Sequence, residues 1–471
     1  MNKKPAIPLG IALIPIVFLI FLLSFVIIVF KQSPHIPLII AAAAAAVVAA
    51  FYKVPWKQIE QGMVHGITLA MGAILILLVV GTMIGTWILG GIVPAMIYYG
   101  LQILSPGIFL SATLIICSVI SLGTGSSWST AGTVGVALIG VGQGLGIPVP
   151  MVAGAIISGA YFGDKMSPLS DTTNLAPAVA GTDVFTHIRH MMYTTGPAYI
   201  LALILYTIIG TRFAAGQLET RNIELLLTTL RTHFFIHPLL LLPPVLVILM
   251  VILKVPPLPA LLGGTMIGGI FALAAQSASL AHVFEAAFSG YTSLTGVPMV
   301  DDLLTRGGLM SMMETVALIM CALSFGGIME KTGMLETIAA SLLKRVKRTG
   351  SLVTTTILSC IGMNAIASDQ YLAIVIPGRM YKKAFDKKGL HPKNLSRCLE
   401  DAGTLSSPLI PWNSCGAFMH ATLGINPLLY LPYAFLNLAT PLISILYGYT
   451  GITIEMKKDP DSASSSQQKE I

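Results

Sequence analysis

The stretch Gly163-Asp164-Lys165-Met166-Ser167-Pro168-Leu169-Ser170-Asp171-Thr172-Thr173-Asn174 constrains this chain most, because it lies between the apolar runs 149–161 and 175–185. Two carboxylates, a lysine and five hydroxyl or amide side chains fall where a membrane span is otherwise apolar. A charge at the bilayer centre costs roughly 2.5–3.5 kcal/mol on lenient scales, so it needs a partner or a wet cavity. Pro168 cannot donate to a helix and pushes the preceding residue out of helical geometry. A helix broken at this depth survives only where its freed backbone groups line a cavity enclosed by protein. The stretch therefore predicts an ion site inside a transporter.

That reading requires a membrane protein, and composition supplies it. Charged residues make up 10% of the 471, against about 25% in soluble domains, and the mean hydropathy is +0.83. The run 7–30 is too long for a signal-peptide core and reads as a span. The five cysteines, Cys117, Cys321, Cys360, Cys398 and Cys415, have neither metal-site nor disulfide spacing. The net charge of +7 sits in short loops and reports orientation rather than nucleic-acid binding.

Simple spans are expected at 8–30, 36–52, 67–90, 191–210, 236–253, 257–275, 309–329 and 427–449, with interrupted spans at 148–186 and 398–424. Two segments differ from both kinds: 108–144, with a polar centre at 123–130, and 351–384, with a polar centre at 363–370. The run 91–104 is shorter and fits the interface. Ser167-Pro168-Leu169 recurs as Ser407-Pro408-Leu409, an offset of 240 that also places Gly163 on Gly403 and 123–130 on 363–370. Weak internal symmetry with a broken span in each half is a pointer to a transporter binding site.

Charge orders these segments. Lys344, Arg345, Lys347 and Arg348 precede 351–384, and Lys382, Lys383, Lys387, Lys388, Lys393 and Arg397 follow its centre. Both loops can be cytoplasmic only if the segment between them is a re-entrant hairpin. The arm 352–362 is then roughly 16 Å of helix, half of a ~30 Å core, which sets Asn364 and Asp369 near the midplane. No lysine or arginine lies between Gln102 and Lys165, so the first hairpin enters from the other side. The expected fold is an all-α polytopic membrane protein with two inverted-topology repeats, each of about five transmembrane helices plus a re-entrant hairpin and a broken helix. The first repeat covers 1–210, an inter-repeat loop 211–235, the inverted second repeat 236–455, and a disordered cytoplasmic tail 456–471. Arg212, Arg221 and Arg231 in 211–232 run against the charge rule, which is a bias.

If the halves are inverted, both hairpin tips and both breaks converge. The expected ion- and proton-binding residues are Asp164, Asp171, Thr172, Thr173, Asn174, Asp369, Asn364, Asp401 and Asn413, with Na+ held by Asp164, Asp171 and Thr172. Ser126, Ser127, Trp128, Ser129, Thr130, Lys165, Ser167 and Ser407 are expected to line the cavity. Oxygen ligands suit hard cations such as Na+. Each residue also has a plainer reading. Asp164 beside Lys165 can be a structural ion pair. Asp171 can cap the following half-helix. Asp401, with Glu400, can be solvated charge at the start of a span. Glu314 and Arg306 fit the end of a span. His187 and His190 fit a cytoplasmic loop, with pH sensing as the sharper alternative.

The runs Thr124-Gly125-Ser126-Ser127-Trp128-Ser129-Thr130-Ala131-Gly132-Thr133-Val134-Gly135, 163–174 and Phe185-Thr186-His187-Ile188-Arg189-His190 resemble the NhaC-type Na+/H+ antiporter family. The resemblance implies a multi-pass carrier of the bacterial inner membrane, with inverted repeats and re-entrant hairpins; the loop charges, with Lys3 and Lys4 at one end and Lys457 and Lys458 at the other, set both termini as cytoplasmic. It implies ion-binding roles for Asp164, Asp171, Thr172 and Thr173. It implies Na+ and H+ as partners, with Li+ or small carboxylates as alternatives, because the family also holds exchangers of malate and protons against Na+ and lactate. No cofactor, enzyme activity or nucleic-acid partner is expected, and a homodimer is a candidate assembly. A Na+-coupled carboxylate exchanger is the second hypothesis, drawing on Lys165. A passive channel and an intramembrane enzyme fit less well.

Overall fold

The computed structural model describes residues 7–30, 32–214, 220–343 and 346–457. Among them the chain is helical apart from two isolated bridges. Six helices are long and apolar enough to cross a membrane: Met71–Leu89, Pro106–Thr124, Val184–Phe213, Pro257–Ala275, Leu309–Lys331 and Thr349–Ile366. Two bent pairs raise the number to eight. Leu9–Ser24, continued by a π-turn Phe25–Val29, and His35–Phe51 are the shorter apolar helices near the start. The chain is a multi-pass membrane protein.

Local chemistry sets the turns. Pro106–Thr124 stops at Gly125, whose φ of +67° suits glycine. Ser126 caps the next helix by accepting from the Ser129 amide at 3.2 Å. The same order recurs at Thr349–Ile366, where Ser368 takes φ +58° and Asp369 caps Gln370–Lys387 by accepting from the Leu372 amide at 2.9 Å. The far ends of each pair meet. Lys388 Nζ donates to the Lys347 carbonyl at 2.8 Å, and a side chain at Gly142 would meet Phe109 at 3.0 Å. Both segments are hairpins.

Each hairpin precedes an interrupted helix. Val149–Met166 resumes as Asp171–Ala180, and Pro392–Leu399 passes through the π-turn Glu400–Thr404 and the short turn Ser407–Leu409 before restarting at Ser414–Leu423. Trp56–Leu69, Met71–Leu89, Pro257–Ala275 and Met313–Lys331 pack on one another and form the other wall around these elements. Glycines allow the close approaches: a side chain at Gly264 would strike Val247 at 2.8 Å, and one at Gly268 would strike Trp87 at 2.7 Å.

Several expectations change. The arm 352–362 is part of the 18-residue helix Thr349–Ile366, about 27 Å long, so arm length does not set the tip at half depth. Within 211–235, expected as a loop, Thr220–His233 is a helix. Ile223, Leu226, Leu227 and Leu230 repeat at helical spacing there, with Leu226 and Leu230 buried. The tail expected from 456 is ordered at its start: Met456 bridges Leu390 and Lys457 pairs with Asp386 at 3.0 Å. Residues 458–471, and the charge markers Lys3, Lys4, Lys344 and Arg345, lie outside the described residues.

Candidate functional site

The first interruption is built from its own side chains. Ser167 and Ser170 are extended, and the helix resumes at Asp171. The Thr173 hydroxyl donates to the carbonyls of Asp164 at 2.8 Å and Lys165 at 2.9 Å. The Asn174 amide donates to the carbonyls of Pro168 at 2.8 Å and Ser170 at 2.7 Å. These bonds satisfy acceptors near the break, which would otherwise be costly to bury. Ser121 Oγ donates to the Ala160 carbonyl at 2.5 Å, and Gly163 leaves no room for a side chain against Ser121 and Leu122. The break is thereby stapled to the first hairpin.

Asp164 is the focus. Its Oδ2 accepts from Ser127 at the hairpin tip at 2.6 Å, and its Oδ1 accepts from Ser170 at 2.7 Å. Ser170 Oγ lies 3.1 Å from Thr172 Oγ1, so one carboxylate and three hydroxyls form a continuous run of oxygens. No cationic side chain among the described residues pairs with Asp164. Sequence reasoning missed Ser170, although its place six residues after Asp164, across the proline, was a usable signal.

The second interruption uses amides where the first uses hydroxyls. Asn364 Nδ2 donates to the Gly403 carbonyl at 2.6 Å and to Ser406 Oγ at 2.9 Å. Asn413 Nδ2 donates to both oxygens of Asn364 at 3.0 Å, and Asn413 Oδ1 caps Ser414–Leu423 by accepting from the Cys415 amide. Ser407 Oγ and Cys415 Sγ both donate to Gln370 Oε1 at 2.8 Å. Gln370 and Cys415 were not among the expected site residues.

Two links join the halves. Lys165 pairs with Asp401, both fully buried, and Thr194 Oγ1 donates to the same Asp401 oxygen at 3.0 Å. Trp128 stacks on Phe418 at 4.0 Å with 17° between the planes. The first link corrects two readings: Lys165 partners Asp401 rather than its neighbour Asp164, and Asp401 and Glu400 are buried rather than solvated. Asp171 occupies the first helical position after the N-cap Ser170, is exposed, and its Oδ2 lies 3.4 Å from the Tyr371 hydroxyl, so it does not cap the helix. His187 and His190 are buried on the helix Val184–Ala214, not in a loop.

These elements surround a cavity of about 540 Å³. Of the expected residues, Ser126, Ser127, Trp128, Asp164, Asp171, Thr172 and Asp369 line it. Ser129, Thr130, Lys165, Ser167, Thr173, Asn174, Asn364, Asp401, Ser407 and Asn413 are not on its walls. Gln370, Tyr371, Ser414 and Cys415 join the lining, as do Lys254 and residues on 69–76. The carboxylate and hydroxyl oxygens on offer suit a hard cation, whereas the helix N-terminus at Gln370 favours an anion.

Residues 159–452 match the Na+/H+ antiporter family. The chain is 41% identical to the Na(+)/H(+) antiporter NhaC of Alkalihalophilus pseudofirmus, covering 96% of this chain and 98% of that protein. It is 41% identical to the malate-2H(+)/Na(+)-lactate antiporter of Bacillus subtilis, covering 84% and 85%. It is 36% identical to the arginine/ornithine antiporter ArcD of Halobacterium salinarum, covering 99% and 96%.

Proposed function

The chain belongs to the Na+/H+ antiporter family, and on that premise we propose that it exchanges Na+ for H+ across the bacterial inner membrane by alternating access at Asp164. The observation that carries the reading is the Asp164 carboxylate, held by two hydroxyls, facing the cavity and lacking a cationic partner among the described residues. Na+ and H+ compete for such a group, and competition at one alternately exposed site is sufficient for exchange. Thr172 and Ser127 supply neutral oxygens, and Asp171 and Asp369 add negative charge on the cavity wall. Exchange of unequal charge would be driven by membrane potential, about 2.3 kcal/mol per charge per 100 mV.

The proposed frame is two inverted repeats, 1–210 and 236–455, each contributing one hairpin and one interrupted helix, with both termini cytoplasmic. The shared order of hairpin, break and closing helix supports it. A second reading, exchange of a small organic acid coupled to Na+, has one observation in its favour. The cavity is far larger than a bare cation and Lys254 faces it. Lys165, which that reading first drew on, is engaged with Asp401.

The test is purified protein in liposomes carrying an internal pH dye, given Na+, Li+ or K+ with and without malate or lactate. Proton movement on Na+ alone, lost in Asp164→Asn protein that still inserts, is the expected result. Movement only with an organic acid present would move the assignment to the second reading. An Asp164→Asn protein that exchanges normally would remove Asp164 from the mechanism.

A further inference from the structure

We propose a phosphate-binding site at the pocket formed by Arg189, His190 and Lys393, occupied by the headgroup of an anionic phospholipid. The proposal is independent of the ion exchange described above, and it rests on a cavity of about 260 Å³ lined by Thr186, Arg189, His190, Tyr193, Lys393 and Glu455.

Three observations build the site. The first is a buried donor aimed into it. His190 is 2% exposed and lines the pocket, yet neither ring nitrogen has a hydrogen-bond partner. The second is a surplus of positive charge. Arg397 is fully buried close to His190 and donates from Nη1 to Thr453 Oγ1 at 2.7 Å, while its Nε and Nη2 have no partner. Arg189 and Lys393 share the pocket wall with one carboxylate, Glu455, which pairs with Lys393 and lies 3.9 Å from His190 Nδ1. An anion in the pocket would balance Arg189, which is exposed and makes no ion pair among the described residues.

The third observation is depth. The helix Val184–Ala214 has 31 residues, about 46 Å against a ~30 Å hydrocarbon core. The apolar run 191–210 fills the core, so residues 184–190 stand at headgroup level. Phe185 is 66% exposed there, as aromatic anchors at an interface are. Basic pockets between helices at this level bind anionic headgroups.

Glu455 belongs to a strap that docks after the last helix. Its carbonyl accepts from the His391 amide at 2.9 Å and from Asn394 Nδ2 at 2.7 Å. Its carboxylate, 48% exposed, holds the place on Lys393 that a phosphate would take. Headgroup and Glu455 therefore compete.

The experiment uses the full chain in detergent and counts bound lipid by native mass spectrometry. Added phosphatidylglycerol is compared with phosphatidylcholine, and inorganic phosphate is tested as a competitor. Wild-type protein is expected to retain phosphatidylglycerol over phosphatidylcholine. Arg189→Gln or Lys393→Gln should each weaken retention about fivefold. Glu455→Gln should strengthen it. The last variant breaks the same ion pair as Lys393→Gln, so opposite effects exclude simple loosening of the strap. Displacement by millimolar phosphate would keep the phosphate site but assign it to a soluble anion. Equal retention of both lipids by wild type, or no change in all three variants, would overturn the proposal.

Discussion

Asp164 and Lys165 are neighbours in the chain, yet one faces the cavity and the other is sealed beside Asp401. Sequence could flag both as out of place in an apolar setting, but a partner 236 residues away carries no local signal. Removing one member of a buried pair leaves the other charged and unpaired, which costs about 3–5 kcal/mol, whereas replacing both by apolar groups is often neutral. Lys165→Met should therefore lower thermal stability in detergent sharply, and Lys165→Met combined with Asp401→Leu should recover most of it. A double variant no more stable than the single would mean the pair is not coupled. Transport by the recovered double variant then reports whether Asp401 serves the ion path beyond its tie to Lys165.

At the level of the element, the interruptions and tips were legible because proline, glycine and hydroxyl residues stand inside apolar runs. What was not legible is how the break is stabilised. Thr173, read as an ion ligand, donates to two carbonyls beside the break. Thr173→Val keeps the shape and removes the donor, so it should cost about 1–3 kcal/mol through unsatisfied buried acceptors. Thr207→Val on an exposed helix face, which breaks only an ordinary bond to the Leu203 carbonyl, should cost far less. Equal melting shifts for the two would refute this account of the break. The second hairpin's arm, expected as helix over 352–362, was underestimated at both ends, since the helix also takes in 349–351 and 363–366. Within it Thr354, Thr355 and Thr356 each donate to the carbonyl four residues earlier.

For the whole molecule, charge in the loops predicted hairpins, and the contact between Lys388 and the Lys347 carbonyl places both ends of one hairpin together. With single cysteines on a background lacking the native five, Lys347→Cys and Lys388→Cys should react with an impermeant maleimide from the same side of the membrane. Ser105→Cys, before the first hairpin, should react from the opposite side. Labelling of Lys347→Cys and Lys388→Cys from different sides would mean that 349–387 crosses. Labelling of all three from one side would defeat the inverted arrangement. The helix Thr220–His233 was hidden because Arg221, Glu224 and Arg231 interrupt its apolar stripe. The link between Lys165 and Asp401 also bears on how the protein is made. At about 5–20 residues per second, a separation of 236 residues means the lysine waits roughly 10–50 seconds for its counter-charge. A ribosome still working on the second half thus leaves a cation waiting in a half-built bundle, and that interval is when the newborn chain most needs the insertion machinery around it.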